Sequence, residues 1–233
     1  MLNSPISPEK LDRIIGQFSL SPDSRVLDLG CGDGDFLRRI FSQTRAECHG
    51  VDPDTSALQS CRKREPDTRL ILHETTGAEF VWPVLPFDLI ICTGSSHAFG
   101  GFIPTLRVLR KHIPAGGLIF MGEVYWRKTL DPAYMEFLGE GWPDFDLTFA
   151  DLLRAGEEEG LIALYNIRSS QEEWDHFEGA FAQRKIQAAL NLTDPDARAK
   201  AFARQKAWRD AYLRWGRSSM GFGLYLFSKP APG

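Results

Sequence analysis

The sequence predicts an α/β fold: a seven-stranded, mostly parallel sheet with helices on both faces and a helical insertion before the last strand. Three observations point there. Short apolar runs alternate with stretches of helical periodicity, no tight hairpin signal joins consecutive runs, and a glycine-rich turn follows the first run. At 233 residues the chain is long enough for one well-buried domain and short for two. The expected organisation is therefore a single domain over residues 1–233, with residues 171–216 as a helical cover inserted before the last strand.

The elements follow in order. Residues 8–18 carry Leu11, Ile14, Ile15 and Phe18 at helical spacing, with Ser7 placed to cap the first turn. Residues 25–29 form a short apolar strand ending in a glycine loop. After the loop, Phe36, Leu37, Ile40 and Phe41 repeat at helical intervals. The alternation continues with a strand at 47–51, a helix at 54–64, and strands at 69–72 and 87–92. A helix at 102–112 is stopped by Pro114 and Gly116-Gly117, and a buried strand runs over 118–124. A helix at 149–159 ends at Gly160, and a sixth strand covers 161–167. The seventh, at 221–227, must be an edge or inserted strand. Between these two strands, Asp194-Pro195 divides residues 171–216 into two helices, with Pro195 at a first helical position.

Composition excludes several classes. Hydrophobic content of 43% and charged content of 25% fit a globular protein, so disorder is expected only at the ends. No segment reads as a signal peptide or an uninterrupted transmembrane helix, which predicts a cytoplasmic protein with no membrane association. Cys31, Cys48, Cys61 and Cys92 lack metal-ligand spacing and read as buried or loop thiols; no metal is expected. A net charge of −4 gives no global attraction for phosphate backbones and argues against a nucleic-acid partner. The basic residues from Arg184 to Arg217 are diluted by Asp194, Asp196 and Asp210 and read as solvated helix faces.

Ligands of open parallel sheets lie beyond the carboxyl ends of the strands. There the first loop reads VLDLGCGDGDF, with Asp28 at the strand end and Gly30, Gly32 and Gly34 in the turn. A dinucleotide loop needs GxGxxG, but the third glycine stands at 34 and Asp35 occupies the next position. Asp28, Asp33 and Asp35 would oppose a pyrophosphate and favour a ligand with an ammonium and a sulfonium. The second strand ends HGVDPD, where the Asp52 carboxylate can accept both hydroxyls of a ribose; Asp52 or Asp54 could instead cap the following helix.

The D-x-G-x-G-x-G pattern, flanked by strand and helix, resembles the first motif of class I S-adenosylmethionine-dependent methyltransferases. The resemblance spans residues 25–124 and implies a Rossmann-like fold with S-adenosylmethionine as cofactor. It places the cofactor against Asp28, Gly30, Cys31, Gly32 and Gly34, then Asp52 and Pro53. It also places the adenine edge at Glu74, Thr75 or Thr76, which all fit, and adds Thr93 and Gly94 after the fourth strand. The loop CTGSSHAFGGF departs from the (D/N)PP(Y/F) loop of enzymes acting on base amines. The stretches GGF, GEVYWR, EEWDHFE and GFGLYLF are similar to a bacterial YjhP-type group of stand-alone methyltransferases.

On the acceptor side, His97 lies after the fourth strand and could take a proton near neutral pH, or simply pack against the cofactor. Glu123 and Tyr125 are further catalytic candidates. Trp126 and Arg127 leave the fifth strand with them and could orient a small polar acceptor. Trp174 and Glu178 share a helical face and line the site if that helix covers it. The expected function is methyl transfer to a small-molecule O, N or S nucleophile. The alternatives are a non-catalytic cofactor-binding or regulatory protein, and a methyltransferase acting on RNA or protein.

Overall fold

A computed structural model describes residues 4–139 and 147–231. The elements are α1 (Pro8–Ile15), β1 (Arg25–Leu29), α2 (Asp35–Thr44), β2 (Glu47–Asp52), α3 (Thr55–Arg64), β3 (Leu70–Glu74), β4 (Leu89–Thr93), α4 (Phe102–His112), β5 (Leu118–Trp126), α5 (Pro132–Leu138), α6 (Phe149–Glu158), β6 (Ile162–Arg168), α7 (Gln171–Leu190), α8 (Pro195–Ala211) and β7 (Met220–Ser228). They form the expected α/β architecture. Part of the chain excursion after β5, residues 140–146, lies outside the described residues.

The sheet order is β3-β2-β1-β4-β5-β7-β6. The first five strands in this order are parallel, while β7 runs antiparallel to both β5 and β6. β7 is therefore the inserted strand of the two placements its sequence left open. Its first eight residues are all buried, because β5 and β6 pair with its edges and helices cover its faces. Pairing also sets strand ends that composition alone misplaces. β5 continues to Trp126 because Tyr125 and Trp126 pair with Gly221 and Met220. β3 continues to Glu74 because it matches Asp52 across the ladder.

Helix ends follow their caps. Ser7 accepts the Lys10 N–H and opens α1. Asp54, not Asp52, accepts the N–H groups of Ser56 and Ala57 at 2.9 and 3.1 Å and caps α3. Asp194 caps α8 with Pro195 in the first turn, as the Asp-Pro break predicts. Ser170 and Glu173 form a reciprocal capping box on α7.

Two apolar layers enclose the sheet. One contains Leu11, Phe36, Leu37, Leu58 and Phe120, and extends to Trp174 of α7 and to Tyr212. The other contains Leu106, Leu109, Leu152, Tyr225 and Phe227 beneath α4 and α6. The pair α7 and α8 is thus anchored in the sheet's own core through Trp174, Ala211 and Tyr212. All four cysteines are buried free thiols. Among the described residues, no helix is long and apolar enough to cross a membrane.

α6 approaches β7 so closely that a Cβ on Gly156 would lie 2.2 Å from a ring carbon of Phe227. Phe227 is fully buried and has no room to yield. Gly156→Ala should destabilise the protein by about 1–3 kcal/mol, despite the better helix propensity of alanine. A lower denaturant midpoint at unchanged slope would show it; an unchanged midpoint would mean the helix shifts freely.

Candidate cofactor and acceptor site

The loop between β1 and α2 is shaped by close backbone approach. Gly30 has a φ of 83°, and a Cβ there would lie 2.0 Å from Ser95 Oγ in the loop after β4. Gly34 has a φ of 71°, and its Cβ would lie 2.2 Å from Cys61 Sγ on α3. Both positions are closed to side chains by conformation and by space. Val51 O accepts the N–H groups of Gly30 and Cys31 at 2.8 and 3.1 Å, which ties the loop to β2.

The charges around this loop divide into two kinds. Asp33 pairs with Arg64 at 2.8 Å, and Asp35 pairs with Arg38. Those two acids are paired within the protein and, with Asp28, line the cavity that follows the loop. Asp28 is different. It is 2% exposed, and its Oδ1 is buried without a hydrogen-bond partner. Burial, reinforced by the nearby Asp52 carboxylate, pushes its pKa up to about 7. Asp52 accepts the Gly32 N–H at 2.8 Å and the Asp54 N–H at 2.9 Å, so it holds the loop while keeping acceptor capacity.

Two cavities meet at this edge. A narrow one of about 50 Å³ follows the loop and is lined by Asp28, Gly30, Gly32, Phe36 and Thr93, with Cys31 in its wall. A larger one of about 250 Å³ lies under α7 and α8, lined by Gly94, Val124, Trp174, Glu178, Trp208 and Phe222 among others. Ser4 borders both, and Thr93 and Gly94 are adjacent in the chain.

The remaining candidates sit as follows. Gly34 is the left-handed cap before α2, and Pro53 is exposed after β2. Glu74 accepts the Thr55 hydroxyl at 2.6 Å, Thr76 donates to Glu79, and Thr75 lies between them at half-burial. His97 is exposed on a 3₁₀ turn, Ser96–Phe99, and lines neither cavity. Glu123 is buried and accepts the Ser96 hydroxyl and the Val124 N–H. Tyr125 packs against Phe149 in the layer beneath α4 and α6. Strand alternation puts Glu123 and Tyr125 on the face opposite Val124, away from the larger cavity. Trp126 is buried in the other core layer, and Arg127 donates to Gln171 at 3.0 Å. Trp174 and Glu178 do line the larger cavity together.

Sequence reasoning missed several contributors, Ser4, Pro5 and Trp208 among them. Ser4 and Pro5 carry no motif, yet they border the larger cavity. Trp208 joins it from α8 by donating its indole N–H to Glu178 at 2.7 Å. The helical spacing of Trp208 was visible, but its partner 30 residues away was not.

The residues present fit S-adenosylmethionine. Its ammonium would meet a buried, unpartnered carboxylate oxygen in Asp28. The second acid, Asp52, stands at the end of β2, and the backbone cradle is one that a side chain would fill. Residues 27–119 match the methyltransferase domain family. The chain is 27% identical to the uncharacterized protein YjhP of Escherichia coli, covering 96% of this chain and 92% of that protein. The crystal structure of YjhP superposes with a TM-score of 0.86 at 23% identity, covering 98% and 95% of the two chains. A methyltransferase structure from Thiobacillus denitrificans, in complex with S-adenosyl-L-homocysteine, has a TM-score of 0.85 at 23% identity. That match covers 98% of this chain and 94% of the other.

The Asp28 carboxyl carries a pH signature in the ligand-free protein. Its folded pKa of about 7 lies above the unfolded value of 3.8, so the folded state holds an extra proton between them. Stability should therefore fall as pH rises from about 4 to about 7, by up to about 1.4 kcal/mol per pH unit, and level off above. Denaturant titrations across that range should show the slope in the native protein and lose it in Asp28→Asn. Parallel profiles for the two proteins would mean that Asp28 is charged throughout.

Proposed function

We propose that this chain, an S-adenosylmethionine-dependent methyltransferase by its likeness to that domain and to methyltransferase structures, takes as acceptor a small molecule presenting an oxygen, nitrogen or sulfur nucleophile in the cavity under α7 and α8. The observation that supports this reading is the size and lining of that cavity. At about 250 Å³ it falls near the lower end of small-ligand sites. It is roofed by α7 and α8 and walled by the ends of β5 and β7, and it meets the loop cavity at Ser4 and Thr93–Gly94.

S-adenosylmethionine supplies an electrophilic methyl group: the acceptor's lone pair forms the new bond to carbon, the carbon–sulfur bond breaks with its pair kept on sulfur, and the acceptor loses a proton. The chain's own residues bind, orient and exclude water. Asp28 would hold the cofactor's ammonium and Asp52 its ribose diol, and the residues from Gly30 to Gly34 would let the backbone approach closely, with Cys31 in the wall. Pro53, one of Glu74, Thr75 and Thr76, and Thr93 with Gly94 would border the rest of the cofactor. Trp174 and Glu178 face the acceptor. Tyr125 and Trp126 serve as core, and Glu123 positions the turn carrying Ser96 and His97. Arg127 ties the end of β5 to α7. Most of the acceleration then comes from positioning and desolvation. In this reading residues 171–216 are a cover on a single domain, anchored by Trp174 and Tyr212 rather than free to act alone.

Three outcomes test the reading. Asp52→Ala should weaken S-adenosylhomocysteine binding by about 1–3 kcal/mol in calorimetry, through the lost diol contact and the untied Gly32 N–H; unchanged affinity would remove Asp52 from the site. Val124→Trp should fill the larger cavity, lowering methyl transfer at least roughly tenfold while S-adenosylhomocysteine affinity stays within about twofold. With methyl-labelled cofactor and a cell extract split by ultrafiltration, label should appear in the small-molecule filtrate. Label confined to retained protein or RNA would overturn the small-acceptor assignment.

A further inference from the structure

The cavity under α7 and α8 has one charged wall. Its sides are aromatic, with Trp174, Phe177, Phe181, Trp208 and Phe222, and among the described residues lining it Glu178 alone carries a formal charge. Glu178 is 9% exposed, and one of its oxygens accepts the Trp208 indole N–H at 2.7 Å. No ion pair among the described residues involves it. Arg217, which borders an adjoining cavity with Glu178, is committed to Asp175 through three contacts of 2.9–3.2 Å, and Arg209 pairs with Asp210. Toward this cavity the carboxylate thus meets aromatic faces and one neutral donor, and among the described residues no cation is paired with it.

We propose that this cavity is an ammonium site: the acceptor carries an aliphatic amine whose cationic form is held by Glu178 and surrounded by the indole and phenyl faces. The chemistry is selective in both directions. A buried carboxylate is costly unless paired, so a ligand cation repays a desolvation that a neutral alcohol or thiol leaves standing. The aromatic walls add cation–π attraction. An anionic ligand would meet like charge with no compensating base. Burial also pushes the Glu178 pKa up in the ligand-free protein, the direction expected of a carboxyl that lacks its counter-ion.

This inference rests on the small-acceptor reading and narrows it, and the two can fail separately. The test uses the full chain saturated with S-adenosylhomocysteine and follows tryptophan emission, because Trp174 and Trp208 line the cavity. n-Butylammonium, n-butanol and butyrate share a skeleton and differ in charge. We expect saturable quenching by n-butylammonium, binding at least roughly tenfold weaker for n-butanol, and none for butyrate. E178Q should lose at least tenfold of the ammonium affinity with S-adenosylhomocysteine affinity unchanged. If E178Q does not fold, the three-ligand series on the native protein decides alone. Equal binding of the alcohol and the ammonium, no ammonium binding, or unchanged ammonium affinity in a folded E178Q protein would overturn the proposal. Ammonium binding with label transferred only to macromolecules would leave the ammonium site standing and sink the small-acceptor reading; transfer to alcohols or thiols without ammonium selectivity would do the reverse.

Discussion

Everything at the carboxyl edge of the sheet depends on how tightly the loop after β1 presses against the loop after β4. With no side chain at Gly30, the Ser95 side chain of the β4 loop occupies the space a Cβ would fill. This is where the winding of the sheet reverses, with β2 and β3 built to one side of β1 and β4 and β5 to the other. Helices consequently leave for opposite faces, and the crevice between the first loops is the one place where the edge stays open. Asp28, at the end of β1, is buried by that same convergence.

The distribution of charge follows from this geometry. Asp33 and Asp35, which line the loop cavity, are paired with Arg64 and Arg38. Asp28, which lines the same cavity, and Asp52, at the end of β2, have no ion pair among the described residues. A similar separation holds the roof in place. Glu173 on α7 is partly buried, which alone would raise its pKa, yet hydrogen bonds from Lys10 and from the N–H groups of Ser170 and Ser7 bring it down to about 2. That cluster clamps α7 to the start of α1, so the segment bearing Ser4 and the roof bearing Glu178 are fixed by one ion pair.

Local signals were legible in the sequence because their causes are local. The order of strands and helices, the Ser7 and Asp194 caps and the positive-φ glycines of the first loop all follow from residues within a turn of one another. Strand alternation separates Val124, which lines the larger cavity, from Glu123 and Tyr125, whose place at the end of the fifth strand marks them as site candidates in the sequence. What stayed hidden is non-local. Nothing near residue 220 says that β7 slides between β5 and β6. Nothing near Glu178 announces Trp208, and nothing near Asp33 announces Arg64. The site is legible where the backbone builds it and illegible where distant helices supply its walls.

The antiparallel position of β7 has a consequence for how the molecule comes into being. Among the described residues, β6 pairs with β7 alone, and β7 also takes the second edge of β5. Both older strands emerge from the ribosome before their partner exists, and α7 and α8 are synthesised in the interval. The open backbone edge of β5, from Leu118 to Trp126, is the kind of unpaired edge that invites wrong pairing while it waits. Closing it is a long-range, entropically costly event. When Met220 and Phe222 enter that slot they also complete the floor of the chamber beneath α7, so a chain still lacking this strand has neither a finished sheet nor a chamber.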